Sequence, residues 1–151
     1  DICSSIGVEQ MKKWDVILAG KRRVAARYDR ELADLEWLKT PYVPKGYGHT
    51  YQSYACLVGG NGYTPKQAYI DKQGEVRLRL MAYLKDNGIA TRQGTHAVHM
   101  LDYYARKYGY KPTDFINTYA ADRMCITVPL FPHMTEDEQA YVIEKLREFK
   151  P

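Results

Sequence analysis

Trp14, Ile17, Leu18, Val24, Ala25, Tyr28, Leu32 and Leu35 fall at spacings of three and four, which a helix gathers into one apolar stripe. Helix is therefore expected over residues 4–38, in two pieces. Gly7 and Gly20 weaken it and mark a bend or a close contact. Between the apolar positions lie Lys12, Lys13, Lys21, Arg22, Arg23, Arg27 and Arg30. That cluster reads either as a phosphate grip or as a solvated face. Asp29, Glu31, Asp34 and Glu36 follow it closely and favour the solvated face.

Downstream the periodicity changes. Pro41, Pro44, Gly46 and Gly48 make a rigid connector. Residues 49–58, aromatic and β-branched at both ends, predict a strand, and Gly59, Gly60, Asn61 and Gly62 a turn. The turn lacks the spacing of a dinucleotide or P-loop motif, so it reads as a hairpin or loop. A short amphipathic helix is expected over 75–87 on Val76, Leu80 and Leu84, stopped by Asn87-Gly88. Ile89, Ala90 and Thr91 then start a buried strand. Helices follow over 98–108 and 112–124, and Cys125-Ile126-Thr127-Val128 is a short strand ended by Pro129. Thr135 and Glu138 form a capping box for a last helix carrying Val142, Ile143, Leu146 and Phe149. The order implies an α+β fold: a helical arm over 1–38, then a domain over 39–151 whose small, mostly antiparallel sheet is covered by helices.

Composition narrows the class. At 45% apolar and 26% charged, the 151 residues suit one globular domain, and no apolar stretch approaches the ~20 residues of a membrane span. Three cysteines without CxxC spacing argue against a disulfide scaffold or a cysteine zinc site and fit a reducing cytoplasm. A net charge of +4 is modest for a nucleic-acid domain. The 14 tyrosines suit a polar ligand cleft or a subunit interface. The chain opens on Asp1-Ile2-Cys3 in mid-pattern, as a piece of something longer would.

The densest polar cluster runs from Thr91 to His99, after a predicted strand and before a helix. Arg92 has the planar fork that clamps a carboxylate or phosphate, or it makes a salt bridge. His96 and His99 can hold a substrate oxygen or shuttle a proton, or they cap and pack. Two histidines three apart do not make a metal site without a third ligand, so no metal is expected. His49 and His133 read as structural.

The motifs, taken in order, resemble the C-terminal portion of the DegT/StrS sugar aminotransferases. Asp1-Ile2-Cys3-Ser4-Ser5-Ile6-Gly7-Val8-Glu9-Gln10-Met11 is similar to that family's D-x-x-A-A-I-G-L-x-Q-L helix, and Lys21-Arg22-Arg23-Val24-Ala25-Ala26-Arg27-Tyr28 to its R-R-x-I-A-x-x-Y arm. His49-Thr50-Tyr51-Gln52-Ser53-Tyr54 matches the strand after the connector. Leu84 to Thr91 is similar to the L-x-x-x-G-I-x-T turn, and His99 falls where the family has the histidine of P-L-H. Val128 to Glu138 resembles the L-P-L-x-P-x-L-T-x-x-E ending. Residues 92–98 depart from the family's commoner H-Y-P segment and look like a rarer T-R-x-G-T-H-A version.

The resemblance implies the small domain of a fold-type I enzyme. The parent would use pyridoxal 5'-phosphate (PLP) to aminate a nucleotide-linked keto sugar, with L-glutamate as amino donor, as a cytoplasmic homodimer in polysaccharide or antigen biosynthesis. The Schiff-base lysine and most of the phosphate cradle are expected in a preceding large domain, reached through the arm. None of the lysines here matches the cofactor lysine, which must serve as anchor and base. No catalytic residue is therefore expected in this chain, and alone it is expected to be inactive. Arg92, Thr95, His96, His99 and Tyr103 are expected to face the substrate, Tyr103 by stacking on sugar or base. Neither nucleic acid nor membrane is an expected partner. The competing expectation is a non-catalytic binding or dimerisation module with a basic, tyrosine-rich surface, which would show clustered cations and salt-dependent affinity. An exposed apolar stripe at Trp14 and Leu18 is expected where a large domain would lie.

Overall fold

The computed structural model describes all 151 residues except the side chain of Asn61. The arm forms two helices, α1 (Ile2–Met11) and α2 (Trp14–Glu31). They break at Lys12 and Lys13 and not at a glycine. The two glycines meet different surroundings. A side chain on Gly7 would point into open space, whereas one on Gly20 would come within 2.6 Å of the Pro132 carbonyl oxygen. Gly20 is thus a close contact in a continuous helix.

The stripe is buried only in its second half. Val24, Ala25, Tyr28 and Leu32 are fully buried, while α1 buries nothing and Trp14 and Val16 are exposed. Tyr28 donates to the Pro129 carbonyl at 2.9 Å, and the buried Gln139 amide donates to the Val24 carbonyl at 2.7 Å. These two bonds tie α2 to the segment that follows the sheet.

Four short strands make an antiparallel sheet in the order β1 (Leu38–Lys39), β2 (Tyr54–Val58), β4 (Cys125–Val128), β3 (Arg92–Gln93). Tyr54, Cys56 and Val58 alternate into the core, opposite Ile126 and Val128. The expected strand over 49–58 is thus half as long. His49 Nδ1 accepts the Tyr51 N–H at 2.9 Å, and Tyr51 sits at φ +47°, so the backbone curls on itself before pairing begins. His49 is a structural residue here. The strand expected at 89–91 starts its ladder only at Arg92, although Ile89 is buried.

The helix expected over 75–87 is longer, with α3 spanning Gln67–Asp86. Its first turns hide from periodicity because the buried face there carries Gly74, and further along the same face Arg77 is buried too. Arg77 is buried by donating from Nε to the Arg123 carbonyl at 2.9 Å. The stop at Asn87-Gly88 is as expected: Gly88 is at φ +74°, and the Gly88 and Ile89 N–H groups close back on Lys85 and Leu84. The helix expected over 98–108 is interrupted. A 3₁₀ turn (Val98–Met100) precedes extended Leu101, and α4 (Asp102–Tyr108) then ends on Gly109. A second 3₁₀ turn (Pro112–Phe115) leads into α5 (Ile116–Met124). The last helix, α6 (Glu136–Glu148), has the capping box: Thr135 Oγ1 accepts from Glu138 N, and Glu138 accepts from Thr135 N at 2.8 Å.

The main core joins α2, α3 and α6 across one face of the sheet. A smaller cluster of Ile70, Tyr119, Ala120 and Met124 lies between α3 and α5, with Leu57 packed against it. All three cysteines are free, and no helix among the described residues is long and apolar enough to cross a membrane.

Candidate functional site

The 92–99 segment leaves the sheet at its β3 edge and is held by one carboxylate. Gln93 Nε2 donates to Asp122 Oδ1 at 2.8 Å and to the Thr95 carbonyl at 2.8 Å, and the Ala97 N–H donates to the same Asp122 oxygen at 3.0 Å. His96 Nδ1 lies 3.8 Å from Asp122 Oδ1. Asp122 on α5 is therefore the organising residue of the loop. Sequence reading missed it, since a single acid on a helix carries no local signal of a partner 25 residues away.

The structure separates the five residues expected to face substrate. Arg92 is exposed, has no salt-bridge partner among the described residues, and lines a cavity of about 310 Å³ with Gln52, Ser53, Ala90 and Thr127. Its guanidinium fork is free to take an anion. His96 and His99 share a different cavity of about 270 Å³, with Val98, Tyr104, Tyr110, Phe115 and Thr118. His96 is exposed, whereas His99 is buried against the Phe115 ring at 5.1 Å between centroids. Thr95 is exposed, and its carbonyl is engaged by Gln93. Tyr103 lines neither cavity; its hydroxyl accepts from Lys107 Nζ at 2.9 Å. No third metal ligand joins the two histidines among the described residues.

The Cys56 and Cys125 thiols are shielded. Burial pushes the Cys56 thiol well above its ordinary range and raises that of Cys125, so neither offers a thiolate near neutral pH.

A covalent PLP site does not fit the residues present. Such a site needs a lysine set in a cavity, where burial can bring its amine toward neutrality. Here every lysine is exposed or half-buried. Half-buried Lys145 is paired with Glu148 at 2.8 Å and with Glu144 at 3.2 Å, contacts that keep its ammonium charged. No lysine lines either cavity beside the 92–99 loop.

The sequence profile of the DegT/DnrJ/EryC1/StrS aminotransferase family matches residues 1–147. The chain belongs to this family. The spore coat polysaccharide biosynthesis protein SpsC of Bacillus subtilis is 28% identical over 149 residues, which are 98% of this chain and 36% of that protein. The GDP-perosamine synthase of Escherichia coli O157:H7 is 26% identical over 151 residues, 99% of this chain and 36% of the relative. Among solved structures, the aminotransferase TlmJ of Streptoalloteichus hindustanus superposes with a TM-score of 0.75 at 22% identity, over 95% of this chain and 34% of that one. The chain thus spans about a third of the length of the DegT/DnrJ/EryC1/StrS relatives it matches. Aminotransferases of this family depend on PLP, and the α+β fold seen here is that of their small domain.

Proposed function

We propose that this chain is the small domain of a PLP-dependent aminotransferase acting on a nucleotide-linked keto sugar, with L-glutamate as amino donor. It forms one wall of the active-site cleft. The observation that carries this reading is the 92–99 loop, held by Asp122, on which an unpaired Arg92 borders one cavity and two histidines border another, within a chain of this family. Arg92 holds a carboxylate or phosphate oxygen with its fork. His96 and His99 hold sugar or nucleotide oxygens, Thr95 offers a hydroxyl at the loop's tip, and Tyr103 stacks at the rim. The lysine and most of the cofactor contacts belong to a large domain outside these residues, which the arm of residues 1–38 reaches. The exposed apolar residues of α1, Ile2, Ile6, Val8 and Met11, support a covered position for that arm in a cytoplasmic homodimer.

The same exposed arm also favours the second reading, a dimerisation module without catalysis of its own. Amino transfer separates the two. The 151-residue chain alone is expected to release no amino product from a nucleotide-linked keto sugar, and the protein carrying a lysine-bearing domain ahead of Asp1 is expected to release it. Absence of transfer in that longer protein refutes the proposal. In the active protein His96→Ala should lower kcat/KM by about tenfold or more, and unchanged kinetics would remove His96 from the site.

A further inference from the structure

The 92–99 loop is drawn toward the sheet by hydrogen bonds and stopped by one side chain. Arg92 pairs with Thr127 and Gln93 with Ile126, and the next step of that register brings Gly94 opposite Cys125. The Gly94 N–H reaches the Cys125 carbonyl at 3.4 Å. A Cβ at position 94 would stand 2.3 Å from Cys125 Sγ and 3.0 Å from Cys125 Cβ. Packed carbon atoms keep about 3.5–4.0 Å apart, so position 94 admits no side chain. Turning the thiol aside does not free the space, because Cys125 Cβ is fixed by the β4 backbone. Backbone conformation is not the reason for the glycine either, since Gly94 is not among the glycines at positive φ.

The contact sits between the two halves of the loop. On one side Arg92, with Thr127 opposite, lines its cavity; on the other His96 and His99 line theirs. Asp122 draws Gln93 and the Ala97 N–H inward at 2.8 and 3.0 Å. Asp122 lies in the last turn of α5 and Cys125 opens β4, so the pull and the stop come from one short stretch of chain. A hydrogen bond tolerates a few tenths of an ångström, whereas repulsion rises steeply inside contact distance. The stop therefore sets where the loop comes to rest.

We propose that Cys125 is a positioning residue: by limiting the approach of Gly94 it sets the gap between the 92–99 loop and β4, and so where Arg92 and His96 meet the substrate. This rests on the function proposed above and deepens it, because the size of the side chain at position 125 then tunes the fit of the keto-sugar site.

The test compares Gly94→Ala with Gly94→Ala/Cys125→Ala. In the 151-residue chain, iodoacetamide labelling of half-buried Cys125 is measured against exposed Cys3, and amide exchange is followed at residues 93–97. Gly94→Ala should lift the loop off β4, raising Cys125 labelling and exchange at 93–97 by about tenfold. The double variant removes Sγ and keeps only the 3.0 Å approach to Cβ, so its exchange should return to within about threefold of the unsubstituted chain. In the longer protein with a lysine-bearing domain, Gly94→Ala should raise KM for the nucleotide-linked keto sugar by about tenfold with kcat little changed, and adding Cys125→Ala should lower that KM again. Two unrelated losses of stability would add, so recovery on the second substitution reports the contact itself. A Gly94→Ala chain that fails to fold and is restored by Cys125→Ala reports it equally.

The inference is overturned if Gly94→Ala changes neither labelling nor exchange, if the double variant is as impaired as the single one, or if the loop lifts and KM stays the same. That last result leaves amino transfer intact. A longer protein that transfers no amino group defeats the proposed function instead, and labelling and rescue then decide the position of the loop.

Discussion

Asp122 shows how much one side chain can decide. Its Oδ1 receives Gln93 Nε2 and the Ala97 N–H, and His96 Nδ1 stands near the same oxygen, so a helix on the far side of the cluster fixes a loop that would otherwise have no anchor. Hydrogen bonds to a charged group contribute roughly 1.5–3 kcal/mol each when lost from a partly buried site. Asp122→Ala should therefore destabilise the chain by about 2 kcal/mol in urea unfolding and raise amide exchange at residues 93–97. Unchanged exchange there would show that the loop is held by something else. The cluster itself was legible in the sequence as a run of polar residues from Thr91 to His99. What was not legible was its division: Arg92 faces one cavity and His96 and His99 another, because β3 ends and the chain turns between them.

At the scale of the element, two glycines of similar local pattern have opposite worth. Gly7 in α1 meets nothing, so Gly7→Ala should raise stability or helicity by up to about 1 kcal/mol, the ordinary propensity gain in an exposed helix. Gly20 in α2 abuts the Pro132 backbone, and Gly20→Ala must push α2 away from the loop before α6. A loss of about 1–3 kcal/mol is expected, as for overpacking, and thermal melts of the two variants should move in opposite directions. The cap of α6 behaves as its sequence reads: Thr135→Ala should cost about 1 kcal/mol. Caps and stops were readable because their bonds lie within a few residues. The first two turns of α3 were not, since their buried face carries Gly74, which closes against Arg123 and adds no apolar side chain to a periodic stripe.

For the whole molecule, the tyrosine-rich core sets an alkaline limit. Burial raises the hydroxyls of Tyr28 and Tyr54 far above their ordinary value of 10.0, and Tyr119 is pushed up to about 12 by burial first and by its bond to Asp71 second. The buried Cys56 thiol is raised above 9.0 in the same way. Each group holds its proton more tightly folded than unfolded. Their stabilisation is therefore complete below about pH 9 and is lost as pH climbs past 9 for the thiol and 10 for the phenols. Urea midpoints should fall steeply above pH 10, and Cys56→Ala should remove the earliest part of that fall. A flat profile from pH 8 to pH 11 would contradict the burial of these groups.

Local chemistry, then, was written in the sequence alone: the α+β class, the strand at Cys125–Val128, the stop at Asn87-Gly88, the capping box, and a family pattern running in order along the chain. Each depends on residues close in sequence, where backbone geometry and side-chain reach suffice. The tertiary structure alone decided which half of the arm's stripe is buried, why Gly20 must be small, how Arg77 enters the core, and which carboxylate holds the 92–99 loop. Those choices depend on partners brought together across tens of residues, and no spacing within a helix or strand encodes them.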